Sequence, residues 1–188
     1  MTNGEIRLSD AIVLRPIRLT DAAAYARAFD RNRAHLAPWE PIRPDGFYTE
    51  AGQLALIEKF DAVRREGRTE RWVFDRGDGE VYGQITLSNI EQGIFLNARM
   101  GYWVDAGLNG RGLATAAVQA VCDQARRRWN LHRIEAGTNV ENHASQRVLA
   151  KCGFEEIGVS RAHLYVNGRW ADSKQFHRIL HTDPVPAA

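Results

Sequence analysis

The chain has 188 residues, of which 44% are hydrophobic, 26% are charged and 9% are aromatic. This composition is close to the globular average, so a disordered, collagen-like or coiled-coil protein is excluded. Lys and Arg total 25 and Asp and Glu total 23, which gives a net charge of +2. A protein held to nucleic acid by charge is usually far more basic, and no stretch approaches the roughly 18 apolar residues of a membrane span. We therefore expect neither nucleic acid nor membrane as a partner.

The length and the termini predict one domain in the cytoplasm. We place this domain at residues 1–182, followed by a flexible C-terminal tail at 183–188 that contains two prolines. The first ten residues contain no apolar signal core, so no export route is visible. Cys122 and Cys152 form no CxxC motif. They predict reduced thiols packed as small hydrophobic groups, and no metal site.

The N-terminal half predicts two short strands and two helices. Thr20 and Asp21 are helix-capping residues in front of an Ala-rich segment. Three prolines within residues 35–44 exclude a regular helix and a central strand there. Thr49 precedes a segment whose apolar residues recur at three-residue steps. The predicted elements are strands at 6–8 and 12–16 and helices at about 21–33 and 49–67.

From residue 72 onward, the sequence predicts mostly strands, with two further helices. Asp78-Gly79 and Asn167-Gly168 are hairpin-turn dipeptides. The predicted strands lie at 72–75, 81–88, 96–104, 133–138, 154–160, 165–166 and 170–179. The predicted helices lie at about 113–128, with a buried stripe of Leu113, Ala117, Val121 and Ala125, and at 142–151. The fold class is therefore α+β (mixed α/β), with helices packed on a mixed, mainly antiparallel sheet.

The segment Gly107-Leu108-Asn109-Gly110-Arg111-Gly112 is the most informative in the chain. It follows a predicted strand and precedes a helix, so free N–H groups and the positive end of the helix dipole meet there. Gly110 and Gly112 would let a diphosphate approach the backbone, and Arg111 would add a charged contact. A flexible helix start with no ligand is an equal alternative. The sequence does not match a P-loop, which needs a Lys after Gly112. It matches a dinucleotide-binding motif only weakly, because the third glycine is missing, although Glu135 lies at a suitable distance along the chain for a ribose contact.

Six further segments support a family resemblance. They are LAPWEP at 36–41, GYWV at 101–104, HRIEA at 132–136, NHAS at 142–145, LAKCGF at 149–154 and NGRWAD at 167–172. In this order, with the glycine segment, they cover most of the chain. The sequence resembles the GNAT family of N-acetyltransferases, and within it the RimJ/RimL branch of ribosomal-protein N-terminal acetyltransferases.

The resemblance implies a GNAT fold, whose twisted sheet is splayed in the middle and flanked by helices, with acetyl-CoA as cofactor and an amine as acceptor. Asn142 is expected beside the pantetheine region. The sequence departs from the family at two positions. Gly107 stands where Gln or Arg is common, and Asn109 stands where Arg is common. These differences weaken single phosphate contacts but not the backbone site. The diphosphate is expected on Asn109, Gly110, Arg111, Gly112, Leu113 and Ala114, and the pantetheine arm along Tyr102, Trp103 and Val104.

Candidate catalytic residues follow from the chemistry of acyl transfer. An α-amino group (pKa about 7.7–8.0) costs roughly 1 kcal/mol to deprotonate at neutral pH, whereas a lysine costs roughly 4–5, so an N-terminus needs only a modest base. Glu135 is the first candidate base and His163 the second, with a structural carboxylate as the alternative. Where many family members have a proton-donating Tyr, this chain has Leu149. Ser145 is then the candidate donor to the departing sulfur, or a plain helix N-terminal residue.

Four residues are candidates for acceptor binding. Trp39, in the proline-rich segment, would form a wall of the acceptor groove, and Glu40 would attract the positive charge of the amine. Tyr165 and Trp170, on the last hairpin, would border the groove. For each of them, packing against the core is the alternative.

The predicted function is direct transfer of an acetyl group to a primary amine in a ternary complex, with the N-terminal α-amine of a protein or peptide as the first candidate acceptor. Neither cysteine lies in a nucleophile context, which favours direct attack. The alternatives are a small-molecule amine or antibiotic as acceptor, a non-catalytic acyl-CoA-binding module, and a dinucleotide oxidoreductase. The last hairpin is a candidate for pairing in a homodimer. The sequence leaves the acyl-chain length and the oligomeric state open.

Overall fold

The computed structural model describes residues 4–185, which form one eight-stranded sheet with helices on both faces. The strand order across the sheet is β1-β2-β3-β4-β5-β6-β8-β7. The strands are β1 (Ile6–Arg7), β2 (Val13–Pro16), β3 (Glu70–Asp75), β4 (Val81–Glu91), β5 (Asn97–Val104), β6 (Arg133–Asn139), β7 (Glu155–Val166) and β8 (Arg169–Ile179). The helices are α1 (Ala22–Arg31), α2 (Arg33–Leu36), α3 (Glu50–Arg65), α4 (Leu113–Trp129) and α5 (His143–Lys151).

The predicted fold class is confirmed, and the differences in detail are local. The first predicted helix ends at Arg31 instead of residue 33, because Asn32 leaves the helical conformation with φ −100° and ψ 8°. The exclusion of regular helix from 35–44 is wrong for its first two residues, which complete α2 before Pro38. The predicted gap between residues 160 and 165 is also wrong, since β7 is continuous there, with a bulge between Ser160 and Leu164.

The local sequence explains where α3, α4 and α5 begin. Thr49 caps α3, with its hydroxyl accepting the Gly52 N–H at 3.1 Å. Gly112 precedes α4 in the left-handed conformation, and the Asn142 side chain caps α5. The predicted stripe of α4 is buried at all four positions, which are Leu113, Ala117, Val121 and Ala125.

Each face of the sheet has its own apolar core. One core packs α4 against the sheet residues on that face, among them Phe74, Ile85 and Met100. The other packs α1 and α3 on the opposite face, where the Phe29 ring lies 5.0 Å from the rings of Tyr25 and Trp103. Neighbouring residues of β5 therefore belong to different cores, which fixes the orientation of this strand.

The sheet separates between its two central strands. β5 and β6 form the parallel pair of the sheet, and their register runs only from Asn97↔Arg133 to Met100↔Ala136. Beyond that point β5 stays paired with β4 as far as Val104, and β6 stays paired with β8 as far as Asn139. The sheet is therefore splayed in the middle, as the family resemblance implied.

Gly83 allows β4 to stay close to the outer end of β5. Its φ is +136°, and a Cβ built there would lie 2.4 Å from the Trp103 carbonyl oxygen. A side chain at this position would push β5 away, so the glycine fixes the position of one edge of the splayed region.

Within residues 4–185, none of the helices is long and apolar enough to cross a membrane. The same part of the chain holds no cluster of three His, Cys, Asp or Glu residues that would bind a metal ion. Of the predicted tail at 183–188, residues 186–188 lie outside the described residues, and the Asp183 N–H donates to His181 Nδ1 at 3.1 Å.

Candidate active site

A cavity of about 970 Å³ lies where β5 and β6 separate. Residues 100–104 of β5 and 136–139 of β6 form two of its sides. The glycine segment with the start of α4 lines it, as do residues of α5, among them Ala144 and Ser145. Further lining residues include Trp39, Glu40, Leu164 and Val166. Most of the residues proposed from the sequence thus meet in one cavity.

The glycine segment leaves open space in front of the α4 N-terminus. Gly110 and Gly112 both have φ of +75°, and a Cβ at either position would meet no heavy atom within 4 Å. Arg111 is exposed and donates to the Gly107 carbonyl at 3.3 Å. The first N–H groups of α4 lack helical acceptors, as in any helix. The segment therefore fits a diphosphate, held by backbone donors where the helix dipole is positive.

A buried polar junction holds the end of β5 in place. The Asp105 carboxylate accepts from Arg31 Nε at 2.7 Å, Asn32 Nδ2 at 2.8 Å and the Gly107 N–H at 3.0 Å. Asn32 Oδ1 in turn accepts the Ala106 N–H at 2.9 Å. Burial alone would raise the pKa of Asp105, but the hydrogen bonds from Asn32 and Arg31 outweigh it, so the pKa is lowered. The junction connects α1 to the start of the glycine segment.

The N-terminus of α5 brings two hydroxyl groups together. The Ser145 N–H donates to Asn142 Oδ1 at 3.1 Å, so the side-chain oxygen of Asn142 already serves as the helix cap. Tyr102 Oη lies 2.9 Å from Ser145 Oγ and 3.3 Å from the Ser145 carbonyl oxygen. Burial raises the pKa of Tyr102 to about 12, although the hydrogen bond to Ser145 opposes the shift. Tyr102 was proposed for its backbone, and its hydroxyl contact was not anticipated.

Glu135 lies on β6 beside the cavity lining, which begins at Ala136 on this strand. Its carboxylate pairs with Arg133 Nε at 3.0 Å, and its side chain is 36% exposed. Its neighbours in the sheet are Arg99 on β5 and His177 on β8. The carboxylate is therefore accessible from solvent on the face opposite α4. His163, the second candidate base, is exposed on β7.

The acceptor residues proposed from the sequence divide into two groups. Trp39 and Glu40 line the cavity, and the Glu40 carboxylate accepts from Arg43 at 2.9 Å. The structure does not bring Tyr165 and Trp170 to the cavity. Their rings pack against each other at 5.4 Å on the outside of the hairpin, because alternation along β7 directs Leu164 and Val166 inward instead.

Sequence reasoning missed several residues of the site. His35 Nε2 lies 3.2 Å from Asn109 Nδ2 and so connects α2 to the glycine segment. Arg147 and Lys151 give the α5 side of the cavity positive charge. Their spacing of four residues places them on one helix face, which was a usable signal. The contact of His35 crosses 74 residues of sequence and left no such signal.

Comparisons with known proteins match this chain to one enzyme family. The family model "Acetyltransferase (GNAT) domain" matches residues 11–155. A probable N-acetyltransferase, YjcK of Bacillus subtilis, is 34% identical over 170 residues, which cover 90% of this chain and 92% of YjcK. The ribosomal protein uS5-alanine N-acetyltransferase of Escherichia coli is 30% identical over 170 residues, covering 89% and 88% of the two chains.

Solved structures agree with these sequence matches. The ribosomal-protein-S5-alanine acetyltransferase of Vibrio fischeri superimposes with a TM-score of 0.89 at 31% identity, covering 94% of this chain and 97% of that one. RimJ of Mycobacterium smegmatis, in complex with CoA-disulfide, gives a TM-score of 0.85 at 36% identity and covers 89% and 81%.

The chain belongs to the GNAT acetyltransferase family. More particularly, it is an acetyl-CoA-dependent N-acetyltransferase whose relatives include the RimJ/RimL ribosomal-protein acetyltransferases. The family and the cofactor expected from the sequence motifs are thus confirmed. Family membership also excludes the P-loop and dinucleotide oxidoreductase interpretations of the glycine segment.

The Asp105 junction makes a prediction about acid stability. We expect Asp105→Asn to lower the free energy of unfolding by about 1–3 kcal/mol at pH 7, because its amide nitrogen would face either both the Arg31 and Asn32 donors or the Gly107 N–H. Since the folded-state pKa of Asp105 is lowered, its stabilisation is fully present above the unfolded pKa of about 3.9. It is lost as the pH falls through the folded pKa. Urea unfolding at pH 7 and pH 3 measures both effects.

The matched control is Asp45→Asn, because the Asp45 side chain is fully exposed. We expect it to change stability by less than about 0.5 kcal/mol at either pH. An Asp105→Asn deficit that is as large at pH 3 as at pH 7 would contradict the role assigned to the carboxylate charge.

Proposed function

We propose that the enzyme acetylates the N-terminal α-amine of a protein or peptide by direct attack in a ternary complex. The observation that carries this proposal is a second cavity of about 220 Å³ that shares Leu36 and Glu40 with the main cavity. Its lining combines apolar residues, among them Phe29, Ile42 and Phe47, with two arginines and Glu40. It offers space for residues that follow the amine, which a small amine would leave unused. The uS5-alanine specificity of the E. coli relative supports the same class of acceptor.

The residues at the cavity fit the acyl donor along its length. The backbone donors of the glycine segment, from Asn109 to Ala114, would hold the diphosphate. The separated edges of β5 and β6 offer backbone groups to the pantetheine arm, as a neighbouring strand would. The α5 side, with Arg147 and Lys151, adds positive charge near the phosphates. When bound, acetyl-CoA supplies an acetyl group activated as a thioester.

The chain's own groups would then complete the transfer. Glu135 accepts the proton of the amine, either directly or through water. The end of β5 at Val104 is our candidate for stabilising the oxyanion that would develop as the thioester exchanges its carbon–sulfur bond for a bond to the amine nitrogen. Ser145 donates a hydrogen bond to the departing thiolate. Alignment of the two reactants supplies roughly 7–11 kcal/mol.

The cysteines support direct transfer without an acyl-enzyme. Both Cys122 and Cys152 are buried free thiols. Burial raises the pKa of Cys122 to about 12 and also raises that of Cys152, so neither forms the thiolate that a nucleophile needs. We also propose a cytoplasmic location, because the cysteines are free thiols and the relatives include acetyltransferases of ribosomal proteins.

The acceptor assignment is tested by thiol release from acetyl-CoA with a panel of amines. We expect a peptide with a free N-terminal Ala or Ser to exceed spermidine and an aminoglycoside in kcat/KM by at least about tenfold, since its amine is easier to deprotonate and it fills the second cavity. The matched control is the same peptide with a blocked α-amine and a free lysine, which should release no thiol. A small amine that exceeds the peptide would overturn the acceptor class. If the chain binds CoA but releases thiol with none of the amines, this result would indicate a binding module.

The assignment of the glycine segment is tested by CoA affinity. We expect Gly110→Val to weaken CoA binding by about 100-fold, or about 2.8 kcal/mol, because its side chain would enter the space in front of the α4 N-terminus. Isothermal titration calorimetry measures the affinity. Gly79→Val is the matched control, because Gly79 also has a positive φ (+79°) and open surroundings but lies between β3 and β4. Equal affinities for the two variants would refute the diphosphate site.

The assignment of the base is tested by kcat with one peptide acceptor at pH 7. We expect Glu135→Gln to lower kcat by about 100-fold or more, because an amide cannot accept the proton of the amine. Glu141→Gln, at an exposed position outside the cavity lining, serves as the control. A Glu135→Gln variant with the kcat of the wild type would exclude Glu135 as the base.

A further inference from the structure

The contact between Tyr102 and Ser145 joins two elements that are far apart in sequence. Tyr102 lies on β5 beyond the last residue paired with β6, and its ring packs against the core under α4. Ser145 is the third residue of α5, and its N–H is already bound to the Asn142 side chain. Both side chains line the cavity. Ser145 is therefore held from two sides, with the Tyr102 hydroxyl 2.9 Å from its own.

The count of protons decides what this contact does. Each hydroxyl has one proton, and the Ser145 carbonyl oxygen can only accept. If Ser145 donated to Tyr102, its proton would be unavailable to any ligand in the cavity. If Tyr102 donates to Ser145 Oγ, at the shorter of its two distances to Ser145, the serine proton is free. Of the two arrangements that place a proton between the hydroxyl groups, only the second lets Ser145 donate to a sulfur atom.

We infer that Tyr102 is a positioning residue, which donates its hydroxyl proton to Ser145 Oγ and so directs the Ser145 proton to the thioester sulfur. This inference rests on the role of Ser145 in the proposed function. It adds a second hydroxyl group that acts only through the first. The pair forms a short chain of donors that ends where negative charge develops as the carbon–sulfur bond breaks.

Tyr102 does not itself protonate the leaving group. Burial raises its pKa to about 12, well above the value of about 8.5 for an ordinary thiol, so transfer of its proton to a thiolate is unfavourable. The electron pair of the broken bond therefore stays on sulfur, which leaves as a thiolate. The Ser145 hydrogen bond and the positive end of the α5 dipole stabilise it. The thiolate gains its proton from solvent after release, and the amine proton leaves through the base.

The test uses CoA itself as the probe and needs no acceptor. The thiol of enzyme-bound CoA is titrated by its thiolate absorbance in the wild type and in variants. In the wild type we expect its pKa to lie below that of free CoA, because donors stabilise the thiolate. Tyr102→Phe keeps the ring and should raise the pKa of the bound thiol by about one unit, that is about tenfold in its dissociation constant. It should also lower kcat by a similar factor while the CoA affinity stays within about twofold.

Two comparisons separate positioning from a merely structural role. The double variant Tyr102→Phe with Ser145→Ala should be no worse than Ser145→Ala alone, because Tyr102 acts through Ser145. Tyr82→Phe is the matched control, since the Tyr82 hydroxyl bonds Asp78 at 2.7 Å, and neither residue lines the cavity. It should leave the thiol pKa and kcat unchanged.

The outcomes distinguish this inference from the proposed function. A thiol pKa that Tyr102→Phe leaves unchanged overturns the inference, and so do additive effects in the double variant. An unchanged thiol pKa in Ser145→Ala overturns it together with the proposed role of Ser145. A wrong acceptor class changes only the amine panel, because this titration contains no acceptor, whereas absence of CoA binding contradicts the donor site itself.

Discussion

The structure depends on one constraint, which is that the parallel pairing of β5 and β6 stops after Met100 and Ala136. Beyond this point each strand keeps its outer neighbour and loses its inner one. Backbone N–H and C=O groups at the separated edges then need another partner, since buried polar groups in proteins are almost always paired. A ligand with amide groups along its length can supply it. The cavity is thus a consequence of strand pairing, and the side chains only specify its chemistry.

Two local devices fix the outer end of β5 once it has left β6. Gly83 allows β4 to follow β5 at close range, where any side chain would meet the Trp103 carbonyl. The buried Asp105 and Asn32 pair then ties the strand end to α1 and orients the start of the glycine segment. Both devices lie outside the chemistry itself. Because a misplacement of about 1 Å can cost a large factor in rate, they bear directly on catalysis.

The sequence was most informative where function depends on contiguous residues. The helix starts at Thr49 and Asn142, the glycine segment and the fold class were predictable, because helix-start and glycine conformations are local properties. The cap predicted at Thr20 and Asp21 was wrong, since the Asp21 carboxylate accepts the Arg18 N–H and makes no side-chain cap bond to α1. The Tyr102 and Ser145 contact was not, since it joins residues 43 positions apart on different elements. Periodicity also shows which residues share a face of a hairpin but not which face meets the cavity. For that reason Tyr165 was proposed for the groove, although its neighbours line it.

One backbone hydrogen bond connects two segments that line the cavity. The Asn167 N–H donates to the Glu40 carbonyl at 3.2 Å, and so joins the segments that contribute Trp39 and Val166 to the cavity lining. The two segments cannot move apart without breaking this main-chain bond. The spacing of the cavity walls on this side is therefore set by backbone geometry, and side chains there can change without altering it.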